Sequence, residues 1–550
     1  MNLKRILSLC CCGFMALQLM AAGPENGPTE DAPAQPATTS ATISSKQLDE
    51  LRQKIAEQEK EIERLQKSVA EQSALLERTA KIVAAGAAAG NNVNAGMTPP
   101  ALLNAGASSA DTLRPFSLSP AARATQSAEK PPLSFRIGNA DFKPFGFMDL
   151  TFVSRSTNTG SGIGTGFGGI PYGNAPQGHL SESNLSAQNS RIGLQIDSTV
   201  LGAKVLGYLE TDFLGNQPAN VWVTSNANTL RMRNYFVDVR KGIWEVMGGQ
   251  DWSLMTPGKS GVSPVPSDLF YTQNMDTNYQ VGLPWARQAQ FRVALHPNDH
   301  FAVAASLENP QQYIGGVGVA LPSALSSTLS GQFNDGTTNY KATNVHPDVI
   351  LKATFDAKPA GLHQHLEAVG FVRSFRDYTG TTHTTTGGGG ELNGNFEVFK
   401  NFHLIANTFF SDGGGRYIFG LGPDLVVRPD GAISLVHTYA TVDGFEADLT
   451  KNLMFYSYYG GVYFGRNVGV DTNGKPIGYG YTGSANSSNR TIQEFTIGLQ
   501  PTFWKSPQYG ALGLNLQYSY VWRNPWFVEP GSPKNAKTNM VYVNLRYTLP

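Results

Sequence analysis

The sequence has little cysteine, little charge and no long apolar run beyond its N-terminal end. Its three cysteines are Cys10, Cys11 and Cys12, so neither disulfides nor thiol chemistry are expected in the chain after them. Charged residues make up 15% of the chain and give a formal net charge of zero, which argues against a nucleic-acid-binding face. Because no later segment offers about 18 uninterrupted apolar residues, no transmembrane helix is predicted in the mature chain.

The first 23 residues have the pattern of an export signal. Two basic residues precede an apolar stretch from Ile6 to Met20, and small residues follow it. We predict a cleaved signal peptide over residues 1–23. Attachment of a lipid to one of the cysteines is the alternative, but Leu9 stands before Cys10 where a small residue is expected.

A coiled coil is predicted between two unstructured segments. Residues 24–43 are rich in proline, alanine and threonine and predict a disordered spacer, while residues 85–134 predict a flexible linker. Over residues 44–84, apolar residues repeat with the 4-3 spacing of a heptad. We expect three chains to associate through this seam, with two as the alternative, because a lone helix would leave its apolar stripe in water. The seam consists of Leu48, Leu51, Ile55, Ile62, Leu65, Val69 and Leu76.

From residue 135 to the end, long polar gaps alternate with short ones. The long gaps are Ser154–Ala187, Leu214–Thr229, Trp252–Pro284, Asn309–His346, Arg376–Gly390, Ser411–Ser434, Gly465–Asn489 and Arg523–Lys537. The short gaps are Ser198–Gly202, Arg240–Gly242, His296–Asp299, Ala357–His363, Lys400–Asn401, Thr450–Asn452 and Lys505–Ala511. Eight long and seven short connections join sixteen strands. The alternation predicts an all-β fold, a 16-stranded antiparallel transmembrane β-barrel over residues 135–550 with the coiled coil before it, and all long loops on one rim.

Apolar and polar residues alternate within the predicted strands. In the segment from Leu512 to Trp522, one face is apolar and the other carries Asn515, Gln517 and Ser519. Soluble sandwiches alternate as well. Strand segments of about 10 residues favour a membrane barrel, as do aromatic residues at their ends such as Trp285, Trp504 and Trp522. The first strand, Phe142–Val153, is expected to pair with the last, Asn539–Leu549.

If the alternation sets the faces, a group of charged side chains points into the lumen. A row of guanidinium groups would lower the barrier for anions, because arginine keeps its proton and matches a carboxylate with two donors. The alternative is that each arginine pairs with a lumen acid and stiffens the wall. The predicted pore-lining residues are Arg191, Arg231, Arg233, Arg292, Arg373, Glu210 and Asp212, together with Glu245 and Glu367.

The third long gap is the candidate for a constriction. It contains Lys259, Asp268 and Asp276, and only by analogy with general porins, whose third long loop folds inward, is it expected to narrow the channel. A surface loop is the alternative.

Motifs for catalysis and metal binding fail on specific residues. Gly258-Lys259-Ser260 resembles the end of a phosphate-binding loop, but Ser253 replaces the required first glycine. His363 and His365 lie two apart without a third ligand. We therefore expect no enzyme, no metal and no cofactor.

Four short motifs, in order along the chain, resemble the DcaP-like porins. They are Ser190–Gly193, Gly207–Phe213, Leu230–Tyr235 and Gly249–Ser253. The resemblance covers the barrel and the preceding coiled coil, and it implies a trimeric outer-membrane channel with an arginine-lined pore for small anionic solutes, including dicarboxylates. The chain departs from the usual outer-membrane pattern in ending with Leu549-Pro550 instead of an aromatic residue.

Three functions are compatible with these features. The first is a passive outer-membrane porin that contacts outer-membrane lipid, forms a homotrimer, binds no nucleic acid and carries its coiled coil in the periplasm. The second is a structural anchor whose coiled coil contacts the cell wall. The third is a barrel hydrolase, although no cluster of catalytic residues emerges from the sequence.

Overall fold

The computed structural model describes residues 133–550 apart from 216–225, 316–317, 330, 335–342, 485 and 487. The predicted signal peptide, spacer and coiled coil, with seam residues Leu48 to Leu76, lie outside the described residues. So does all of the predicted linker except its last two residues.

The described part of the chain is almost entirely β-structure. Its strands are β1 Phe135–Ile137, β2 Ala140–Arg155, β3 Glu182–Ser186, β4 Arg191–Val200, β5 Ala203–Asp212, β6 Arg231–Lys241, β7 Trp244–Trp252, β8 Arg287–Leu295, β9 Phe301–Glu308, β10 Val319–Ala320, β11 Asp348–Ala357, β12 Gln364–Tyr378, β13 Thr382–Phe399, β14 Phe402–Asp412, β15 Leu425–Val427, β16 Ile433–Leu435, β17 His437–Thr450, β18 Leu453–Phe464, β19 Asn467–Val470, β20 Pro476–Tyr479, β21 Asn489–Ser506, β22 Gly510–Pro525 and β23 Ala536–Thr548. One short α-helix spans Ser326–Leu329, and 3-10 turns span Phe167–Gly169, Pro176–His179, Pro266–Asp268, Pro359–Gly361 and Gly415–Tyr417. Among these described residues, no helix has the length and apolarity needed to cross a bilayer.

Sixteen of the strands form a closed antiparallel barrel. The wall consists of β2, β4–β9, β11–β14, β17, β18 and β21–β23, each paired with the next. β2 closes the ring, because Asp141–Phe147 pair with β4 while Phe147–Arg155 pair with β23. The predicted 16-stranded barrel and the pairing of its first and last strands are confirmed. Closure leaves the wall without an open edge.

Fourteen of the fifteen predicted connections are long or short in the structure as predicted, and one is not. The predicted long gap Arg376–Gly390 is wrong, because β12 runs to Tyr378 and β13 starts at Thr382. This segment is rich in threonine and glycine, a composition that is typical of loops. The glycines allow close strand pairing: a Cβ on Gly389 would lie 2.2 Å from the carbonyl oxygen of Phe410. The other seven long connections share one rim with this hairpin, here called the long-loop rim.

The two faces of the wall differ as a membrane barrel requires. Large apolar side chains such as Leu150, Phe291, Leu351 and Leu545 are exposed on the outer face. Polar side chains on the inner face, such as that of Gln517, are buried. This arrangement reverses that of a soluble protein, and it is typical of a wall with lipid outside and a polar lumen inside.

Replacing the lipid-facing Val543, which lies nearer the middle of its strand, by arginine is expected to destabilise the barrel by about 2–4 kcal/mol, because a charge then faces hydrocarbon. Urea-induced unfolding from lipid vesicles measures this change. Val345→Arg is the control, since Val345 is an exposed residue of a long connection and should change stability little. Equal effects of the two substitutions would contradict the assignment of the outer face.

Candidate functional site in the barrel lumen

The connection between β7 and β8, residues 253–286, folds into the lumen, and we call it the crossing loop. Near its start, the backbone N–H of Gly258 donates to Glu367 Oε1 on β12 at 2.9 Å. Near its end, the N–H of Val281 donates to Glu494 Oε2 on β21 at 2.9 Å. The loop therefore contacts two separate parts of the wall, and the surface-loop alternative for this third long gap is wrong.

Two glycines let the crossing loop lie close to the wall. Gly460 is on β18, where a Cβ would come within 2.0 Å of the carbonyl oxygen of Val281. Gly282 has a φ of +94°, and a Cβ there would lie 2.5 Å from the carbonyl oxygen of Thr441. A side chain at either position would displace the loop.

The connection between β14 and β17, residues 413–436, packs on the crossing loop inside the barrel. The N–H of Trp285 donates to the carbonyl of Tyr417 at 2.6 Å, and the N–H of Phe419 donates to the carbonyl of Leu283 at 2.9 Å. The first long connection joins them, because Asn278 donates to the carbonyl of Ile163 at 2.5 Å. Three long connections thus meet in the lumen and narrow it together.

An aromatic cluster surrounds Trp285. Its ring centroid lies 3.8 Å from that of Trp252 and 4.2 Å from that of Tyr279. Tyr271 and Phe419 approach it edge-on at 6.0 and 6.4 Å. The prediction that Trp285 marks a strand end at the membrane interface is therefore wrong, since Trp285 belongs to the crossing loop and its ring packs against Trp252 and Tyr279 inside the barrel.

Three of the predicted arginines join acids in one ion-pair network. Arg233 donates to Glu210 Oε1 at 2.5 Å and to Asp212 Oδ2 at 2.8 Å. Arg231 makes a two-point contact with Asp212 at 3.0 and 2.7 Å. A β-bulge places both Arg233 and its neighbour Asn234 on the inner face, because Glu210 pairs with Asn234 while Thr211 pairs with Met232, which leaves Arg233 as the extra residue. The network consists of Arg191, Arg231, Arg233, Glu210, Asp212 and Asp276.

Asp276 connects the crossing loop to this network. Its carboxylate pairs with Arg191 and accepts a hydrogen bond from the Tyr279 hydroxyl at 2.6 Å. Burial opposes ionisation of Asp276, but the charges of Arg191 and Arg233 outweigh it and hold its pKa below the ordinary value. The carboxylate is therefore ionised at neutral pH.

The other two predicted arginines are buried in separate contacts. Arg373 pairs with Asp348 at 3.0 Å and with Asp424 at 3.1 Å. Arg292 donates to the carbonyl of Trp252 at 2.8 Å, and its guanidinium lies 3.8 Å from an Asp251 oxygen. All five predicted arginines are therefore close to acids, which is the geometry of the wall-stiffening alternative.

The structure does not bring the three predicted constriction residues together. The backbone N–H of Lys259 donates to the carbonyl of Asp268 at 2.8 Å, and its Nζ lies 5.8 Å from the centroid of the Tyr271 ring. Asp268 accepts a hydrogen bond from Ser263 at 2.7 Å. Lys259 and Asp268 thus close a turn within the crossing loop, while Asp276 belongs to the ion-pair network.

One arginine of this region was missed by the sequence analysis. Arg287 is the first residue of β8, and its guanidinium lies 4.9 Å from the centroid of the Trp252 ring. Among the described residues its side chain makes no hydrogen bond or ion pair, and its Nη1 is buried without a partner. The alternation of faces did not predict an inward position for Arg287, because Arg287 is an even number of residues from Ala289 and Phe291, which are exposed on the outer face.

His363 and His365, which lie two apart in the sequence, share one carboxylate. His365 Nδ1 lies 2.9 Å and His363 Nε2 lies 3.3 Å from Asp356 Oδ1. Within the described part of the chain, no group of three or more histidine, cysteine, aspartate or glutamate side chains is arranged to hold a metal ion.

The comparisons with known proteins identify the fold. No protein-family model and no curated protein matches the chain. The outer membrane channel DcaP of Acinetobacter baumannii is similar in structure, with a TM-score of 0.53 and 18% identity over 75% of this chain and 98% of that chain. An anion-selective porin from Comamonas acidovorans has a TM-score of 0.43 and 12% identity over 74% and 100% of the two chains. The match to DcaP confirms the barrel fold predicted from the sequence.

Replacing Arg233 by methionine is expected to destabilise the barrel by about 3–5 kcal/mol, because Glu210 and Asp212 are left buried with fewer partners. Unfolding by guanidinium in detergent measures this. The matched control is Arg231→Met, whose side chain is 38% exposed and should cost far less. An Arg233→Met variant as stable as the unaltered protein would show that the network does not stabilise the wall.

Gly460→Ala is expected to displace the crossing loop from β18 and to change the single-channel conductance, since the new methyl group overlaps the Val281 carbonyl. Gly370→Ala on β12 is the control, because a Cβ there meets no atom within 4 Å. Unaltered conductance in Gly460→Ala would show that the loop does not narrow the conducting path.

Proposed function

We propose that this protein is an outer-membrane porin through which small anionic solutes diffuse passively. The observation that carries the proposal is the unpaired guanidinium of Arg287 beside the aromatic cluster and the ion-pair network. A closed wall with an apolar outer face and a polar inner face supports insertion in the outer membrane.

The narrowing of the lumen supports a diffusion channel of limited width. The crossing loop and the connection of residues 413–436 fill part of the barrel and leave Tyr271, Trp285 and Arg287 partly exposed. A solute that passes the crossing loop would meet aromatic surface and a guanidinium at the same level. Such a surface would bind a solute weakly enough for it to leave again.

The charge balance of the site supports anions as the preferred solutes. Arg191, Arg231 and Arg233 are balanced by Glu210, Asp212 and Asp276, so the ion-pair network adds no net charge. Arg287 then adds one positive charge that no described side chain pairs with. A guanidinium cannot lose this charge and presents a fork that fits a carboxylate. Dicarboxylates are the solute class that the resemblance to the DcaP-like porins implies.

Arg287→Gln should reduce the anion-to-cation permeability ratio about thirtyfold. A unit charge about 8 Å from a passing ion is worth about 1 kcal/mol at an effective dielectric constant of about 40, and because it stabilises an anion and destabilises a cation, its loss changes the ratio by about 2 kcal/mol. The reversal potential in a salt gradient across a planar bilayer measures this ratio. Arg376→Gln is the charge-matched control, since Arg376 is an exposed residue near the long-loop rim.

An unchanged reversal potential in Arg287→Gln would contradict the assigned role of Arg287. A cation preference in the unaltered protein would overturn the solute class while leaving a channel. A folded barrel that never conducts would favour the anchor or hydrolase alternatives.

We further propose a homotrimer with the coiled coil of residues 44–84 in the periplasm. The heptad seam supports association of the chains, and a barrel whose first strand starts at the rim opposite the long loops would hold the preceding segment on the periplasmic side. Contact of the coil with the cell wall is a secondary role under this proposal.

Deleting residues 44–83 should leave a conducting barrel, because the wall and the lumen loops do not include these residues. Current steps in bilayers and the mass of the detergent-solubilised protein measure conduction and assembly. Loss of trimers with conduction retained would make the coil an assembly device. Loss of all function with an intact barrel would favour a tether.

A further inference from the structure

A single imidazole bridges two carboxylates of the inner wall. His365 Nδ1 lies 2.9 Å from Asp356 Oδ1, and His365 Nε2 lies 3.1 Å from Glu367 Oε1. His365 is 1% exposed, so water does not replace either contact. A neutral imidazole donates from one nitrogen only, whereas an imidazolium donates from both. Both contacts are therefore hydrogen bonds only when His365 is protonated.

The same two carboxylates hold the crossing loop. Asp356 Oδ2 accepts from the N–H of Gly261 at 2.8 Å, and Glu367 Oε1 accepts from the N–H of Gly258 at 2.9 Å. The approach is close, because a Cβ on Gly258 would lie 2.8 Å from Glu367 Oε1. The position of this part of the loop thus depends on Asp356 and Glu367. The negative charge of these two acids is balanced in part by His365.

The charged surroundings of His365 come from several elements. Lys352 on β11 donates to Glu367 Oε1 at 3.2 Å and to the carbonyl of Thr256 in the crossing loop at 2.8 Å. The crossing loop contributes backbone N–H groups to the carboxylates. The titratable groups that act on the two carboxylates or lie beside them are Lys352 and Asp356 on β11, His363 before β12, Glu367 on β12, and Glu391 and Glu397 on β13.

We propose that His365 is a pH-dependent latch that holds the Gly258–Gly261 segment of the crossing loop against the wall. The imidazolium with its two carboxylates forms the latched state. As pH rises and the proton is lost, one carboxylate loses a donor and the buried pair loses a compensating positive charge. The segment is then released. The latch is therefore present on the acid side of the histidine titration and lost on the alkaline side.

Hydrogen–deuterium exchange in the full-length protein tests the latch without a channel assay. The amides of the peptide that contains Gly258 and Gly261 should exchange about tenfold faster, after correction for intrinsic rates, once the charge-assisted contact is lost between about pH 5 and about pH 10. Corrected exchange that does not change over this range would overturn the proposal, whether or not the protein conducts.

Single-channel recording tests the consequence for transport, and only this second readout rests on the proposed porin function. The unaltered protein should show more frequent substates as pH rises, and His365→Gln should show them at every pH because glutamine carries no charge. His383→Gln is the matched control, since His383 also contacts an aspartate, Asp377 at 2.8 Å, at the opposite end of the β12–β13 hairpin. A pH response retained in His365→Gln, or lost in His383→Gln, would overturn the assignment to His365.

Discussion

The lumen depends on carboxylates of the inner wall that accept hydrogen bonds from the backbone of the crossing loop. Glu308 accepts from the N–H of Leu254, Glu367 from that of Gly258, and Glu494 from that of Val281. A loop inside a barrel would otherwise have backbone donors without partners, which costs free energy when they are buried. These acids thus fix the path of the loop, and they also place negative charge on the wall.

The charge of the site follows from that arrangement. Most lumen arginines are held beside acids, so their effect on passing ions is largely cancelled. Under the proposed function, ion selectivity would then depend on the residues that break this charge balance. Arg287 is one of these because it packs on Trp252 and has no acid partner among the described residues. Under the proposed function, the paired arginines would stiffen the wall, and the unpaired one would supply the field that an anion feels.

The barrel could be predicted from the sequence because its signals are local. Strict alternation and short polar connections fix the strand count, and both depend on residues within about ten positions of each other. The hairpin between β12 and β13 was missed because Thr384–Gly390 look like a loop in composition, although neighbouring strands hold them extended.

The candidate site could be predicted only in part, because its partners are distant in sequence. Alternation placed Arg233 and Glu210 on the inner face, but it could not show that they bind each other. The inward path of the crossing loop depends on residues such as Glu494, more than 200 positions away. Arg287 was not predicted, because it is the first residue of its strand and its side chain does not follow the alternation of the residues after it.

Chemical modification of Ser260→Cys in the purified channel tests most directly whether the crossing loop lines the conducting path. Ser260 is exposed between Gly258 and Gly261. The cysteines of the natural sequence all precede residue 13, within the predicted signal peptide, so they should not compete for the reagent. A negatively charged thiol reagent should reduce the current and lower the anion preference. A modified channel with unchanged current and unchanged reversal potential would contradict the account.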